Sequence, residues 1–179
     1  MRRAASRSAA AAVGDFSAVR VIPHASGKAL VSASTFAAAD ELFRFTGVLR
    51  RDNIGDRSLM VGREAHLVSH DEEEAWVYLN HSFSPSVSIH HPPVNGADAV
   101  PPLLTATAIV DIEEGEPLTI DYTLHEWEMH APFTCGESGR EVRGFKYLTE
   151  TEQDAALPSA LPHIRSLHLQ HLFGQSSRC

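Results

Sequence analysis

The chain has 179 residues, 43% of them hydrophobic, with 15 Lys and Arg against 23 Asp and Glu and a formal net charge of −8. That length suits one domain with its own core, and the acidic balance argues against a chain that coats nucleic-acid phosphates. The two cysteines, Cys135 and Cys179, exclude a disulfide framework and a zinc site built from cysteine alone. No apolar run reaches the ~20 residues of a membrane helix, so a soluble globular domain of a reducing compartment is expected.

The first 13 residues, MRRAASRSAAAAV, hold three Arg, six Ala and no acid. They read as a disordered basic tail or as a short organellar targeting segment. The other 166 residues carry 12 basic and 23 acidic groups, a net of −11. Val19, Val21 and Ile22 before Pro23 predict a strand. A turn at Ala25-Ser26-Gly27-Lys28 and a second short strand over 29–31 follow. Leu42, Phe43, Phe45, Val48 and Leu49 fit strands bounded by Gly47 and Asn53-Ile54-Gly55, and 59–68 fits another pair. The charge run 71–74 reads as a solvated helix start. The apolar stretch 75–79 leads into Asn80-His81-Ser82. Alternation over 86–90 and β-branched residues over 103–110 predict strands on either side of a loop rich in Pro, Gly and Asn. Leu118-Thr119-Ile120 predicts another. Past Tyr122 the pattern is irregular until Leu157, Leu161, Ile164, Leu167 or His168, and Leu172, whose spacing predicts a closing amphipathic helix. The fold class expected is mainly β with a helical C-terminal end. His90 and His91 face opposite ways on a strand, and His163, His168 and His171 fit a helix surface, so no metal site is expected.

Two segments carry the chemistry together. One is Tyr78-Leu79-Asn80-His81-Ser82-Phe83-Ser84-Pro85-Ser86. The other contains Ile112, Gly115, Glu116, Asp121 and Tyr122. In this order and at this separation they resemble the SET-domain protein lysine methyltransferases. Glu126 to Cys135 and Arg143-Gly144-Phe145 look like that family's post-SET tail. Ser26-Gly27-Lys28-Ala29 sits where the family has its glycine-rich cofactor turn, so the similarity covers about residues 19–148. The chain departs from the pattern at Phe83, where a Cys is common, and at Ser86, where an Asn is usual. It also departs at Lys28-Ala29 and in the post-SET segment, which keeps only Cys135.

The resemblance implies a SET-domain fold of small curved sheets with a pseudoknot that brings Asn80-His81 beside Tyr122. It divides the chain into a basic tail or targeting segment at 1–14, a SET domain at 15–123, a post-SET-like lid at 124–148 and a helical extension at 149–179. It implies S-adenosylmethionine as cofactor and an in-line attack by a neutral lysine amine on its methyl group, which rests on alignment and desolvation. Tyr122 takes the catalytic role. Gly27, Lys28, Ala29, Asn80, His81, Trp127 and Phe133 are the cofactor-binding candidates, and Tyr78 and Ile120 the substrate-channel candidates. Ile120 has no hydroxyl, which implies a channel that accepts di- or trimethylation. No zinc is expected, and packing of Trp127, Phe133, Phe145 and Tyr147, or the substrate itself, is expected to order the lid. The expected partner is a lysine-bearing protein or peptide, such as a histone tail steered by the acidic body, with no nucleic acid, no membrane and a monomeric chain in the nucleus or cytoplasm. The alternatives are a catalytically weak SET-like binding module and an unrelated β-rich structural domain.

Overall fold

The computed structural model describes residues 11–176 apart from Ser26, Asp56 and Glu72. Most of the basic tail, the middle of the predicted 25–28 turn and Cys179 lie outside the described residues. The described end of the tail segment joins the core, because Gly14 donates its N–H to the Arg44 carbonyl at 2.9 Å.

Among the described residues, twelve short strands and two α-helices follow in chain order. β1 (Val19–His24) and β2 (Gly27–Ser32) form an antiparallel hairpin. β3 (Glu41–Phe45) and β4 (Val48–Arg50) come next, then β5 (Ser58–Gly62) and β6 (Ala65–Val68). A 3-10 turn at Ala75–Tyr78 delivers the chain to β7 (Asn80–His81) and β8 (Val87–His90). After the Pro-rich loop come β9 (Leu104–Ala108) and β10 (Thr119–Ile120), and then the small hairpin β11 (Phe133–Thr134) and β12 (Glu141–Val142). α1 (Glu150–Ala156) and α2 (Pro162–Ser176) close the chain. The sheets are small: β3-β9-β8 and β4-β6-β5 are antiparallel triplets, while β7 and β10 are parallel. This is the mainly β class with a helical C-terminal end that the periodicity predicted.

The main core lies between these sheets. Leu30, Phe43, Leu67, Leu104, Ala106 and Leu118 are wholly buried within it. Phe43 sits 5.2 Å from Phe16 and 5.8 Å from Phe45, and Phe45 stacks on Trp76 at 4.9 Å. Such aromatic pairs add to the gain from burial alone. The edge of β2 is covered by the second motif segment. Leu118 donates to Leu30, Ser32 to Glu116 and Gly115 to Ser32, each at 2.9 Å.

Three local expectations need correction. The run 71–74 starts no α-helix. Glu73 pairs with Lys28, Glu74 accepts the Trp76 indole N–H at 2.9 Å, and only a 3-10 turn follows. The predicted closing helix is two helices. Thr149 and Glu152 form a capping box at the start of α1, and Pro162, which has no N–H to donate, opens α2. Finally, His163 and His168 are buried rather than on the helix surface, because His163 Nε2 hydrogen-bonds the His125 carbonyl at 2.9 Å and His168 meets Phe145 edge-on at 5.4 Å.

Candidate active site

The parallel pairing of β7 with β10 builds the site. Thr119 lies opposite Asn80 and Ile120 opposite His81, and Ser82 extends the ladder by donating to the Ile120 carbonyl at 3.1 Å. Some 40 residues of intervening chain thus return Tyr122 to His81. The Tyr122 backbone N–H donates to His81 Nδ1 at 3.2 Å, and the two rings lie 5.3 Å apart.

That hydrogen bond settles the state of His81. A ring nitrogen that accepts an N–H carries no proton, so the neutral ring holds its proton on Nε2. Burial pushes the His81 pKa down, and Asp121, 3.8 Å away, only partly offsets this. The pair is therefore not an ion pair. The Asp121 carboxylate is engaged instead as the cap of the next turn, accepting the Thr123 N–H at 2.9 Å and hydroxyl at 2.7 Å.

The Tyr122 hydroxyl donates to the Leu79 carbonyl at 2.7 Å, which fixes its direction. Beside it opens a cavity of about 140 Å³. Phe45, Trp76, Leu79, Ile120, Tyr122 and Phe133 line it, and among the described residues Arg57, His125, Glu126 and His130 are further ionisable residues of the lining. A wider hollow of about 800 Å³ lies between β8 and the C-terminal helices, but neither Asn80, Ile120 nor Tyr122 lines it.

The candidate residues fall into two connected groups and one outlier. Ile120, Tyr122 and Phe133 meet at the small cavity, and His81 packs against two of them, with Phe133 edge-on to Tyr122 at 6.0 Å and to His81 at 5.9 Å. Lys28, Tyr78 and Asn80 meet at the β1–β2 turn. Asn80 Nδ2 donates to the Lys28 carbonyl at 3.1 Å. Lys28 Nζ donates to Glu73 at 2.7 Å and to the Tyr78 hydroxyl at 3.3 Å. These bonds raise the Lys28 pKa, the Glu73 bond most. Gly27, at φ +111°, begins β2, and a Cβ there would meet nothing within 4 Å. Ala29 is buried opposite Ile22. Trp127 is the outlier: it stacks on Phe145 at 6.0 Å and meets His171 edge-on at 5.7 Å, within the second core cluster.

The β11–β12 hairpin is tied to the Asn80–Phe83 segment by contacts the sequence did not reveal. Ser82 Oγ donates to Glu137 at 2.7 Å. The Arg140 guanidinium sits 4.2 Å over the Phe83 ring and pairs with Glu152 of α1. Packing of Phe133 is thus joined by a polar tie and a cation–π contact. Cys135 is buried at the base of this hairpin, where its backbone N–H donates to the Arg140 carbonyl at 2.8 Å. Among the described residues no three His, Cys, Asp or Glu side chains converge so as to hold a metal ion. Glu126 is the second feature missed. It is buried and Glu128 exposed, although nothing in the sequence separates the two acids.

No family model matches the sequence, and no curated protein matches it. Solved structures do. The chain is similar to the crystal structure of KRYPTONITE in complex with mCHG DNA and SAH, with a TM-score of 0.53 and 19% identity over 65% of this chain and 26% of that one. It is similar also to KRYPTONITE in complex with mCHH DNA, H3(1-15) peptide and SAH, with a TM-score of 0.51 and 19% identity over 65% of this chain and 27% of that one. The match thus takes in about a quarter of the length of those proteins. At this identity the likeness establishes the fold, and the fold is SET-like.

Proposed function

We propose that this chain transfers methyl groups from S-adenosylmethionine to a lysine side chain of a protein. One observation carries the reading: the β7–β10 pair holds Tyr122 against Asn80-His81 at the wall of a mostly apolar cavity, with its hydroxyl direction fixed by the Leu79 carbonyl.

The residues present fit the cofactor. Phe133 is 37% exposed and offers an aromatic surface to a purine. The Asn80 amide beside the open Gly27-Lys28 turn offers polar partners to an amino-acid end. When bound, S-adenosylmethionine supplies an electrophilic methyl group on a sulfonium. The protein supplies the rest. Apolar walls disfavour the charged form of an entering amine and so favour the nucleophilic one. The anchored Tyr122 hydroxyl orients that amine, and orientation is the larger part of a displacement that needs no acid. Ile120 adds no hydroxyl to the wall, which leaves the cavity tolerant of an amine already methylated. The acidic body favours a basic peptide, and the H3(1-15) peptide and SAH held by KRYPTONITE support a histone-tail substrate class.

Labelled S-adenosylmethionine, incubated with histones and the purified chain, tests the reading. The wild type is expected to label a histone, and Tyr122→Phe to lower the rate about 100-fold, the scale of one lost orienting group. Cofactor binding without transfer to any protein would replace this reading by that of a peptide-binding module.

A further inference from the structure

The small cavity is lined by a buried carboxylate that the reaction above leaves without a task. Among the described residues Glu126 is the only carboxylate that lines it, and it is 6% exposed. Its Oε1 accepts the Met60 backbone N–H of β5 at 2.8 Å. Its Oε2 is buried with no hydrogen-bond partner among the described residues. A buried carboxylate oxygen without a donor costs free energy, and a group of this kind calls for an explanation. The neighbouring charged or titratable groups are Arg57, Tyr122, His125 and His130 around the cavity and His168 of α2, which meets Phe145 edge-on at 5.4 Å. None of them hydrogen-bonds Oε2.

The cavity, at about 140 Å³, suits a single side chain, being smaller than the ~300 Å³ of a small-molecule pocket. A lysine arm that enters it brings an ammonium group into mostly apolar surroundings. That ammonium must lose a proton before its nitrogen can attack. We infer that Glu126 is the acceptor of that proton, through its unpartnered Oε2. The inference rests on the methyltransferase reading above. In this step one Nζ–H bond breaks and its electron pair stays on nitrogen. The proton forms an O–H bond on Oε2, so that an ammonium and a carboxylate become a neutral amine and a carboxylic acid. Burial supports the role by raising the Glu126 carboxyl to about 7, against the opposing pull of the Met60 N–H. A base near the working pH combines availability with driving force.

The full chain is assayed with a lysine peptide across pH, as wild type, Glu126→Gln and Glu126→Asp. Gln keeps the shape and the acceptor for Met60. In parallel, the Glu126 carboxyl of the wild type is titrated by ¹³C NMR with and without n-butylamine. Wild-type kcat/KM is expected to level off above about pH 7. Glu126→Gln is expected to be about 100-fold slower at neutral pH and to climb toward the ~10.4 of a free lysine, with Asp recovering part of the loss. n-Butylamine is expected to lower the Glu126 midpoint, because a bound ammonium favours the carboxylate. Superimposed profiles from an active wild type, or a midpoint that n-butylamine leaves unmoved, would overturn the Glu126 role alone. A wild type that methylates nothing would overturn the methyltransferase reading and this role together. The titration needs no variant, so it decides even if both variants misfold.

Discussion

Ile120 and Tyr122 are two positions apart and contribute different things to one wall. Ile120 is 3% exposed and purely apolar, while Tyr122 brings a hydroxyl whose direction is set by the Leu79 carbonyl. On the proposed function, the wild type adds more than one methyl group to its lysine. Ile120→Tyr is expected to stop the reaction earlier, because a second ring and hydroxyl fill the space a methylated amine needs. Mass spectrometry of the product counts the methyl groups, and a wild type that stops cleanly at monomethyl-lysine contradicts this account of Ile120. The juxtaposition of Asn80-His81 with Tyr122 was legible in the sequence, since both segments match one family at the right spacing. Packing of Trp127 with Phe145 was expected too, whereas its contact with His171 was not. An aromatic side chain buries equally well against a ligand or a core, and His171 is 44 residues away. The burial of Glu126 was hidden for a similar reason, because its depth is set by Met60 on a distant strand.

The elements divide between those a local pattern specifies and those a tertiary contact specifies. The β1–β2 hairpin, the strands near 86–90 and 103–110, and the second helix were readable from alternation and from helical spacing. The hairpin of β11 and β12 was not, because its two-residue strands are too short to show a period and depend on Glu137, Arg140 and Phe133 for their place. Gly144, which follows that hairpin, has φ +107°, and a Cβ there would lie 2.7 Å from the Trp127 carbonyl oxygen, so the chain passes there only without a side chain. The docking of α2 is a property of one stripe. Ile164 is wholly buried among Met60, Phe145, Ala160 and Leu161. Ile164→Ala is expected to cost about 2–5 kcal/mol, the usual range for emptying such a site. A shift in the denaturant midpoint measures it, and a loss below about 1 kcal/mol would show that α2 contributes little to the fold.

At the scale of the whole molecule, buried histidines link stability to pH. His125 is lowered to about 3 by burial and by repulsion from His163, His91 and His90. His163 is lowered to about 4, chiefly by burial. Both are neutral when folded, while in the unfolded chain they titrate near 6.5. The unfolded state therefore takes up more protons below that value. Their contribution to stability is full above 6.5 and is lost as pH falls toward 4 and then 3. Glu126 opposes them: raised from 4.5 to about 7, its contribution is full below 4.5 and is lost as pH rises to 7. His66, His81 and His91 are lowered by burial as well, so the histidines outweigh the single carboxyl. The melting temperature is expected to fall between neutral pH and about pH 5, and a rise would contradict this balance. Methyl transfer by the whole molecule is measured most directly by the mass spectrum of a histone-tail peptide after incubation with S-adenosylmethionine and either the wild type or Tyr122→Phe. Losing one hydroxyl costs about 1 kcal/mol of stability, so the variant stays folded and its chemistry can be compared. Methyl groups on a lysine with the wild type, and almost none with Tyr122→Phe, are the predicted result. An unmodified peptide with both proteins, or equal methylation by both, would contradict it.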